Sequence, residues 1–246
     1  MIDREFAVGE SPSIKISLRS GRVRVETGDA GTVRVLVDTS DPSFQVTQRG
    51  DAISASGERG GRADITVHAP PMTDTEVATA SADVEVVAAV GRLEVASASG
   101  DISFDTATRL QTKSASGAVR GNEVYGESRC VTASGDIRIG TVGERADLST
   151  ASGDITIDQC RGSLSVASLS GDIRVGRHTG PDLNAKSMSG GVRLGIPPRT
   201  RLDLDANTFS GKVSLPSTQP STEPPEREMS VKVRLVSGNL TIERVD

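Results

Sequence analysis

The sequence repeats one short segment at a nearly constant interval. The segments "SASGDISF", "TASGDIRI", "TASGDITI" and "SLSGDIRV" share the residues Ser-Gly-Asp-Ile. Their glycines and those of two related copies lie at positions 100, 117, 135, 153, 171 and 190, so the steps are 17 to 19 residues long. A fixed period of this size is typical of architectures that stack one structural unit on the next. This repeat constrains the fold more than any single residue does.

Apolar and polar residues alternate on both sides of each repeated glycine. Degraded copies continue at Gly211 and Gly238, which gives eight glycines in all. The residue two places after the glycine is always aliphatic: Ile102, Val119, Ile137, Ile155, Ile173, Val192, Val213 and Leu240. The residue that follows it is polar, and a second alternating pair, such as Leu164 and Val166, precedes the glycine. Alternation with a period of two indicates a strand with one buried face. Each repeat therefore predicts two short strands separated by a turn.

If each repeat forms one coil, equivalent residues stack about 4.8 Å apart and form parallel sheets along the axis. The sequence thus predicts an all-β fold, a β-solenoid that resembles a single-stranded β-helix with about 18 residues per coil. An α/β fold is excluded because the chain lacks a helical pattern of ten residues. We expect residues 1–246 to form a single domain.

Two parts of the chain depart from the regular repeat. Residues 76–246 carry the regular copies, whereas residues 1–75 alternate with irregular spacing and predict either distorted early coils or an antiparallel cap that protects the sheet edge. Residues 216–228 contain the Pro/Ser/Thr/Glu-rich stretch "PSTQPSTEPPERE". Because this composition cannot bury apolar surface, we expect a mobile excursion there.

Composition and charge exclude several classes of partner. The formal charge is −5 and the sequence pI is about 5.2, with acidic and basic residues interleaved, so we expect no nucleic-acid partner. No run of about 18 apolar residues occurs, so membrane insertion is not expected. The first residues lack the apolar run of a secretory signal, and Cys130 and Cys160 do not occupy equivalent repeat positions. We therefore expect reduced thiols and a cytoplasmic location.

A column of acidic residues follows the repeated glycines at Asp101, Asp136, Asp154 and Asp172. Stacked carboxylates can bind a cation or act as an acid/base pair. The column is interrupted by Ala118 and Gly191, so no more than three carboxylates are consecutive. We therefore favour capping of the turn by aspartate.

Serine and histidine give no sign of a reactive centre. A serine precedes each of the eight glycines, which favours a hydroxyl ladder over a nucleophile, because a nucleophile needs one serine set apart by a base. His68 and His178 are the two histidines; we expect both to be solvated, and no Cys/His spacing predicts zinc. We therefore predict no catalytic, cofactor-binding or metal-ligating residue and no cofactor.

Outward-facing arginines form a basic stripe at Arg120, Arg138, Arg174 and Arg193. One interpretation is a glycan- or anion-directed binder or enzyme on a β-helix scaffold. The favoured one is a solvated face whose charges are balanced by neighbouring carboxylates. Aromatic residues make up only 2% of the chain, which argues against a sugar platform.

One column breaks the rule that outward positions are polar. The second residue before each glycine is alanine in four copies and then a large apolar residue: Leu169, Met188, Phe209 and Val236. Either these side chains enter the core at a corner, or they form an exposed apolar strip of the kind that marks a contact surface. The four large residues are the candidate interaction strip.

The repeated Ser-Gly-Asp-Ile strands, the segment "HAPPMTDTEV" and the late segment "IPPRTRLDLDANTFSGKV" together resemble a bacterial β-strand-repeat family of unknown function that carries the label "putative adhesin". The resemblance implies a solenoid-like stack without an assigned enzymatic activity, and the family offers no site residues to carry over. We therefore predict a non-enzymatic structural or protein-interaction module that binds an unknown protein partner or self-associates.

Overall fold

A computed structural model describes residues 1–57, 62–216 and 224–245. Within these ranges it contains 23 strands and no helix. Parallel strands stack in register from one repeat to the next, which confirms the predicted all-β solenoid. The contacts divide the chain into two compact units, residues 1–124 and 125–246.

The strands of unit 1 are β1 (Ile2–Ala7), β2 (Ser13–Leu18), β3 (Ser20–Thr27), β4 (Thr32–Thr39), β5 (Gln45–Arg49), β6 (Ala52–Ser56), β7 (Arg62–Ala69), β8 (Asp74–Thr79), β9 (Asp83–Ser97), β10 (Ile102–Ser114) and β11 (Val119–Val124). Strand β10 lies parallel to β9, with Leu110 opposite Leu93. Strand β11 continues this column, with Val119 opposite Ile102. The inward aliphatic residues of successive repeats therefore stack as the alternation predicts.

The first 75 residues of unit 1 contain both arrangements that the sequence left open. Strand β2 lies between β6 and β8, and β3 lies between β7 and β9, all parallel. Strand β4 runs antiparallel to both β7 and β1, and β5 runs antiparallel to β6. Parallel coils and antiparallel strands thus occur in the same segment, and the earliest parallel strands lie inside the stack.

The strands of unit 2 are β12 (Glu127–Thr132), β13 (Ile137–Val142), β14 (Arg145–Thr150), β15 (Ile155–Cys160), β16 (Ser163–Ser170), β17 (Ile173–His178), β18 (Asp182–Ser189), β19 (Val192–Ile196), β20 (Thr200–Ser210), β21 (Val213–Ser214), β22 (Arg227–Ser237) and β23 (Leu240–Arg244). Ile137, Ile155 and Ile173 are stacked partners and are fully buried. At about 1.5–3 kcal/mol per buried aliphatic side chain, such columns supply the main stabilising term.

The last coils of unit 2 do not stack in the order of the sequence. Strand β22 pairs on one edge with β18 and on the other with β20, and β23 lies between β19 and β21. The final repeat of the sequence is therefore inserted into the stack, and the repeat before it, β20 and β21, forms the last coil of the unit. This order differs from the consecutive stacking that the repeat suggests.

The repeated glycines are required because successive coils approach closely. A Cβ atom on Gly153 would lie 2.2 Å from the carbonyl oxygen of Gly135, and one on Gly171 would lie 2.1 Å from that of Gly153. Gly190 and Gly238 also adopt positive φ angles of 146° and 152°, which L side chains rarely adopt. Backbone proximity is thus the more general reason for this glycine column.

The Pro-rich segment joins the last two coils of unit 2. Within the expected excursion at 216–228, residues 217–223 lie outside the described part of the chain. The backbone N–H of Glu226 donates to the carbonyl oxygen of Arg199 at 2.9 Å, and the two side chains form an ion pair of 2.8 Å. Strand β22 begins at Arg227. The end of the segment is therefore held against the coil that contains β20.

Candidate functional site

The candidate interaction strip lies on the outer surface of unit 2. Leu169, Met188, Val236 and Phe209 are 52%, 54%, 50% and 91% exposed, respectively. The flanking serines fix the register, since Ser168 pairs with Ser187 and Ser170 with Ser189. Because β22 is inserted, the strip runs Leu169, Met188, Val236, Phe209 in space. At about 4.8 Å per strand it is roughly 14 Å long.

The strip points outward because the alternation of the strand continues through it. Leu164, Val166 and Ser168 are buried, and Leu169 is exposed, as alternation requires. The alternation breaks one residue later, at Ser170, which is also exposed. The large apolar side chain of Leu169 therefore does not enter the core.

A groove of about 580 Å³ runs beside the strip. It is lined by the small residues Ala151 and Ala167 and by three residues of the strip, Leu169, Met188 and Val236. Two cations, Lys186 and Arg234, also line it. The guanidinium of Arg234 is held by both carboxylate oxygens of Asp205, at 2.5 and 2.9 Å. The groove is therefore mainly apolar, and one of its two positive charges is already neutralised.

The aspartate column links successive coils. Oδ1 of Asp154 accepts the backbone N–H of Asp172 at 2.8 Å, and Oδ1 of Asp136 accepts that of Asp154 at 3.0 Å. In unit 1, Oδ1 of Asp101 accepts the N–H of Ala118 at 2.9 Å. This bond lowers the pKa of Asp101, and Arg120 lowers it further. The carboxylates cap the next coil, so the predicted capping role is refined from a local turn to a bond between coils.

A second hydroxyl column was missed by the sequence reasoning. The serine before each glycine is exposed at Ser99, Ser116 and Ser152, and Oγ of Ser99 donates to the carbonyl oxygen of Ala80 at 3.3 Å. The hydroxyl three places before the glycine turns inward instead: Oγ1 of Thr132 accepts the N–H of Gly135 at 3.0 Å. Oγ of Ser168 donates to the carbonyl oxygen of Gly153 at 3.3 Å. The recurring Ser or Thr at this position was the available signal.

The expectation that His178 is solvated is wrong, because the residue is fully buried. Its Nε2 lies 3.1 Å from the carbonyl oxygen of Asp182. Burial lowers the pKa of His178 to about 4, and burial also raises the pKa of the Cys160 thiol to about 11. Cys160 and Cys130 are buried and not joined by a disulfide. A neutral imidazole beside a protonated thiol does not form an activated nucleophile.

The basic stripe is partly neutralised by neighbouring carboxylates. Arg120 lies 3.1 Å from Asp101, and Arg138 lies 3.8 Å from Asp158. Arg193 is 3.9 Å from Glu243. These exposed pairs are worth little individually, but they distribute the positive charge of the stripe. The arrangement is typical of a solvated face.

Unit 1 contains a second groove of about 670 Å³ lined by residues of β2, β5, β6, β8 and β9. Four of its charged lining residues form two ion pairs: Lys15 lies 2.6 Å from Glu76, and Arg92 lies 2.8 Å from Glu94. Across the described ranges, no cluster of three or more His, Cys, Asp or Glu residues is arranged to hold a metal ion. The same ranges contain no helix that could cross a membrane. The apolar strip is therefore the feature that stands out chemically.

The stacked coils and their glycine and aspartate columns define a β-solenoid repeat protein. A family model described as Toastrack DUF4097 matches residues 13–243. The chain therefore belongs to this family. No curated protein matches it.

Solved bacterial structures are similar to the chain at low sequence identity. A "putative lipid binding protein" from Parabacteroides distasonis ATCC 8503 is 15% identical, with a TM-score of 0.50 over 100% of this chain and 96% of that one. A "putative adhesin" from Bacteroides fragilis NCTC 9343 is 13% identical, with a TM-score of 0.47 over 99% and 96% of the two chains. One from Parabacteroides merdae ATCC 43184 is 12% identical, with a TM-score of 0.47 over 100% and 96%. At 15% identity, the similarity to the Parabacteroides distasonis structure concerns the fold alone.

Proposed function

We propose that the protein is a non-enzymatic interaction module of a bacterial cell that binds a partner protein through its apolar strip. The observation that carries this proposal is the exposure of four large apolar side chains in adjacent strands, Leu169, Met188, Val236 and Phe209. Contiguous exposed apolar surface bordered by polar residues is characteristic of protein contact sites. Scattered single residues would carry no such meaning.

The charges of the surface favour a protein over a small anionic ligand. Arg234, one of the two cations that line the groove, is already paired with Asp205. An anion would therefore meet Lys186 as its main positive charge. An apolar segment of a partner protein, by contrast, could cover Leu169, Met188 and Val236 together and gain from their burial.

The two cysteines support a cytoplasmic location within this proposal. Both are buried in unit 2 and are not disulfide-bonded. Thiols persist in reducing compartments. Fractionation of the native host cell with an antibody against the protein tests this point, and a location outside the cytoplasm would contradict it.

The strip is tested by comparing partner capture by wild type and by a variant with Leu169→Ser, Met188→Ser and Val236→Ser. Tagged full-length chains are incubated with native host extract, and bound proteins are quantified by mass spectrometry. We expect at least one protein to be enriched on wild type and reduced roughly tenfold or more on the triple variant, because each lost apolar contact costs about 1 kcal/mol or more.

The matched control replaces three outward polar residues of the same unit, Thr156→Ala, Ser165→Ala and Asn184→Ala. This control should retain the partner, and both variants should melt within a few degrees of wild type. Equal capture by wild type and the strip variant would contradict the proposal. A strip variant that unfolds would show that the side chains serve the core, which would also contradict it.

A further inference from the structure

Strand β20 leaves one of its edges open. It pairs with β22 from Thr200 opposite Arg227 to Ser210 opposite Ser237. On its other edge it has no strand partner among the described residues. An edge strand of eleven residues presents a row of unpaired backbone N–H and C=O groups, which is a template for a further strand. Natural edge strands are usually shorter or covered.

The core beneath this strand is also incompletely covered. Val213 and Val192 both pair with Leu240, from opposite sides. Val192 is only 2% exposed, whereas Val213, in the last coil, is 42% exposed. The inward residues Leu202 and Leu204 of β20 are likewise half-buried. Another layer of strand would complete their burial.

The outward face of β20 carries charges of opposite sign, and these charges face each other when the strand pairs with a second copy of itself. Arg201 and Asp203 are exposed and point to the same face. When the strand pairs antiparallel with a copy of itself about Leu202, each Arg201 lies opposite Asp203 of the second copy. Directly opposite residues of unlike charge are favourable. A register centred on Leu204 would instead place Asp203 opposite Asp205, which is unfavourable.

The same register matches the apolar face. Leu202 then lies opposite Leu202 of the second copy, and Leu204 lies opposite Thr200. Side chains that face each other in an antiparallel pair are about 4.5–5.5 Å apart at Cβ, close enough to pack. Leu202 and Leu204, which are half-buried in one copy, would therefore be covered by the other.

We propose that the protein forms a symmetric dimer in which β20 of one copy pairs antiparallel with β20 of a second copy about Leu202. The contact uses the same surface on both chains, so it closes into a dimer. It pairs residues 200–204 of the two strands. Its apolar area of a few hundred Å² places it among weak interfaces. This surface is distinct from the strip residues Leu169, Met188 and Val236.

Sedimentation velocity of the full chain over roughly 10–500 µM tests the dimer in the range expected of a weak interface. Wild type should shift from monomer to dimer as the concentration rises. Arg201→Glu and Asp203→Lys should each weaken association tenfold or more, because like charges then face each other. An equimolar mixture of the two variants should restore the dimer. In the mixed dimer the glutamate introduced at position 201 faces the lysine introduced at position 203 of the other copy. The native Asp203 of the first variant likewise faces the native Arg201 of the second.

Two controls keep the result specific. Both charge variants should melt within a few degrees of wild type, because the two residues are exposed. The strip variant Leu169→Ser, Met188→Ser, Val236→Ser should dimerise like wild type, so failure of the strip and failure of the dimer are distinguishable. Wild type that stays monomeric, single variants that dimerise like wild type, or a mixture that stays monomeric would each overturn the proposal.

Discussion

The end strands of unit 1 and the last coil of unit 2 place similar residues in different surroundings. Val33, Val35 and Val37 of β4 are fully buried, because β4 has β7 on one edge and β1 on the other. Val213 of β21 faces inward along an equally regular column but is 42% exposed. Alternation therefore determines the direction of a side chain, while burial requires a neighbouring strand on both sides.

The two ends also differ in how the chain protects its sheet edges. In unit 1 the chain reverses into antiparallel strands, and the six-residue β1 carries the charged run Asp3, Arg4, Glu5. Arg34 binds Asp3 through two hydrogen bonds of 2.9 and 2.6 Å. Short, charged edge strands resist pairing with other chains. Strand β20 is longer and has half-buried leucines, so it has less of this protection.

The largest expected difference in unfolding free energy is between Val→Ala in β4 of unit 1 and Val→Ala in β21 of unit 2. Val35→Ala should cost about 2–3 kcal/mol, because it removes two buried methyl groups and leaves a cavity. Val213→Ala should cost less than about 1 kcal/mol, because water already reaches that side chain. Urea unfolding at low protein concentration, where a weak dimer is dissociated, measures both. Equal costs would mean that the last coil is covered in solution.

The columns of the stack could be predicted from the sequence, but the order of the coils could not. Alternation and the fixed period place Ile155 above Ile137, as the structure has it. However, each coil carries nearly the same inward residues. Val231 and Val233 of β22 fit beside Leu183 and Ala185 as well as beside the equivalent residues of β20. Periodicity alone therefore cannot reveal that β22 is inserted between β18 and β20.

The residues of the candidate site could be predicted from the sequence, but their direction depends on how far the alternation persists. The sequence identifies Leu169 and Met188 as large apolar residues in an otherwise alanine-containing column. In the structure the alternation persists through Ser168 and Leu169 and is broken only at Ser170. By contrast, burial of His178 was readable: the seventh residue after the glycine is Val142 and then Cys160 in the preceding coils, and both are buried.

The two histidines differ in burial, and the buried one makes the stability of the protein depend on pH. His178 in unit 2 is fully buried, whereas the side chain of His68 in unit 1 is 34% exposed beside Glu26. Burial lowers the pKa of His178 from 6.5 to about 4. As the pH falls below 6.5, the unfolded chain binds this proton before the folded chain does. Stability is therefore complete above that pH and is lost down to about pH 4.

At pH 5 this linkage corresponds to a loss of roughly 2 kcal/mol relative to pH 7.5. His178→Leu should reduce the loss of stability between these pH values by about that amount, because leucine does not titrate in the apolar column. Thermal melts at the two pH values measure the slopes, and a wild-type slope in the His178 variant would contradict the linkage.

The smallest expected effect on stability comes from removing one of the aspartate hydrogen bonds that link successive coils of unit 2 at their turns. Oδ1 of Asp154 accepts the N–H of Asp172 at 2.8 Å. Asp154→Ala should cost about 1 kcal/mol, because that N–H loses its partner. Asp154→Asn should keep most of the stability, since Asn239 in the same column already accepts the N–H of Lys212 through Oδ1 at 2.9 Å. Urea unfolding at pH 7 separates the two variants, and adding a chelator should change neither. If Asn costs as much as Ala, the carboxylate charge is what stabilises the column; if chelation lowers the stability of wild type, a bound cation does.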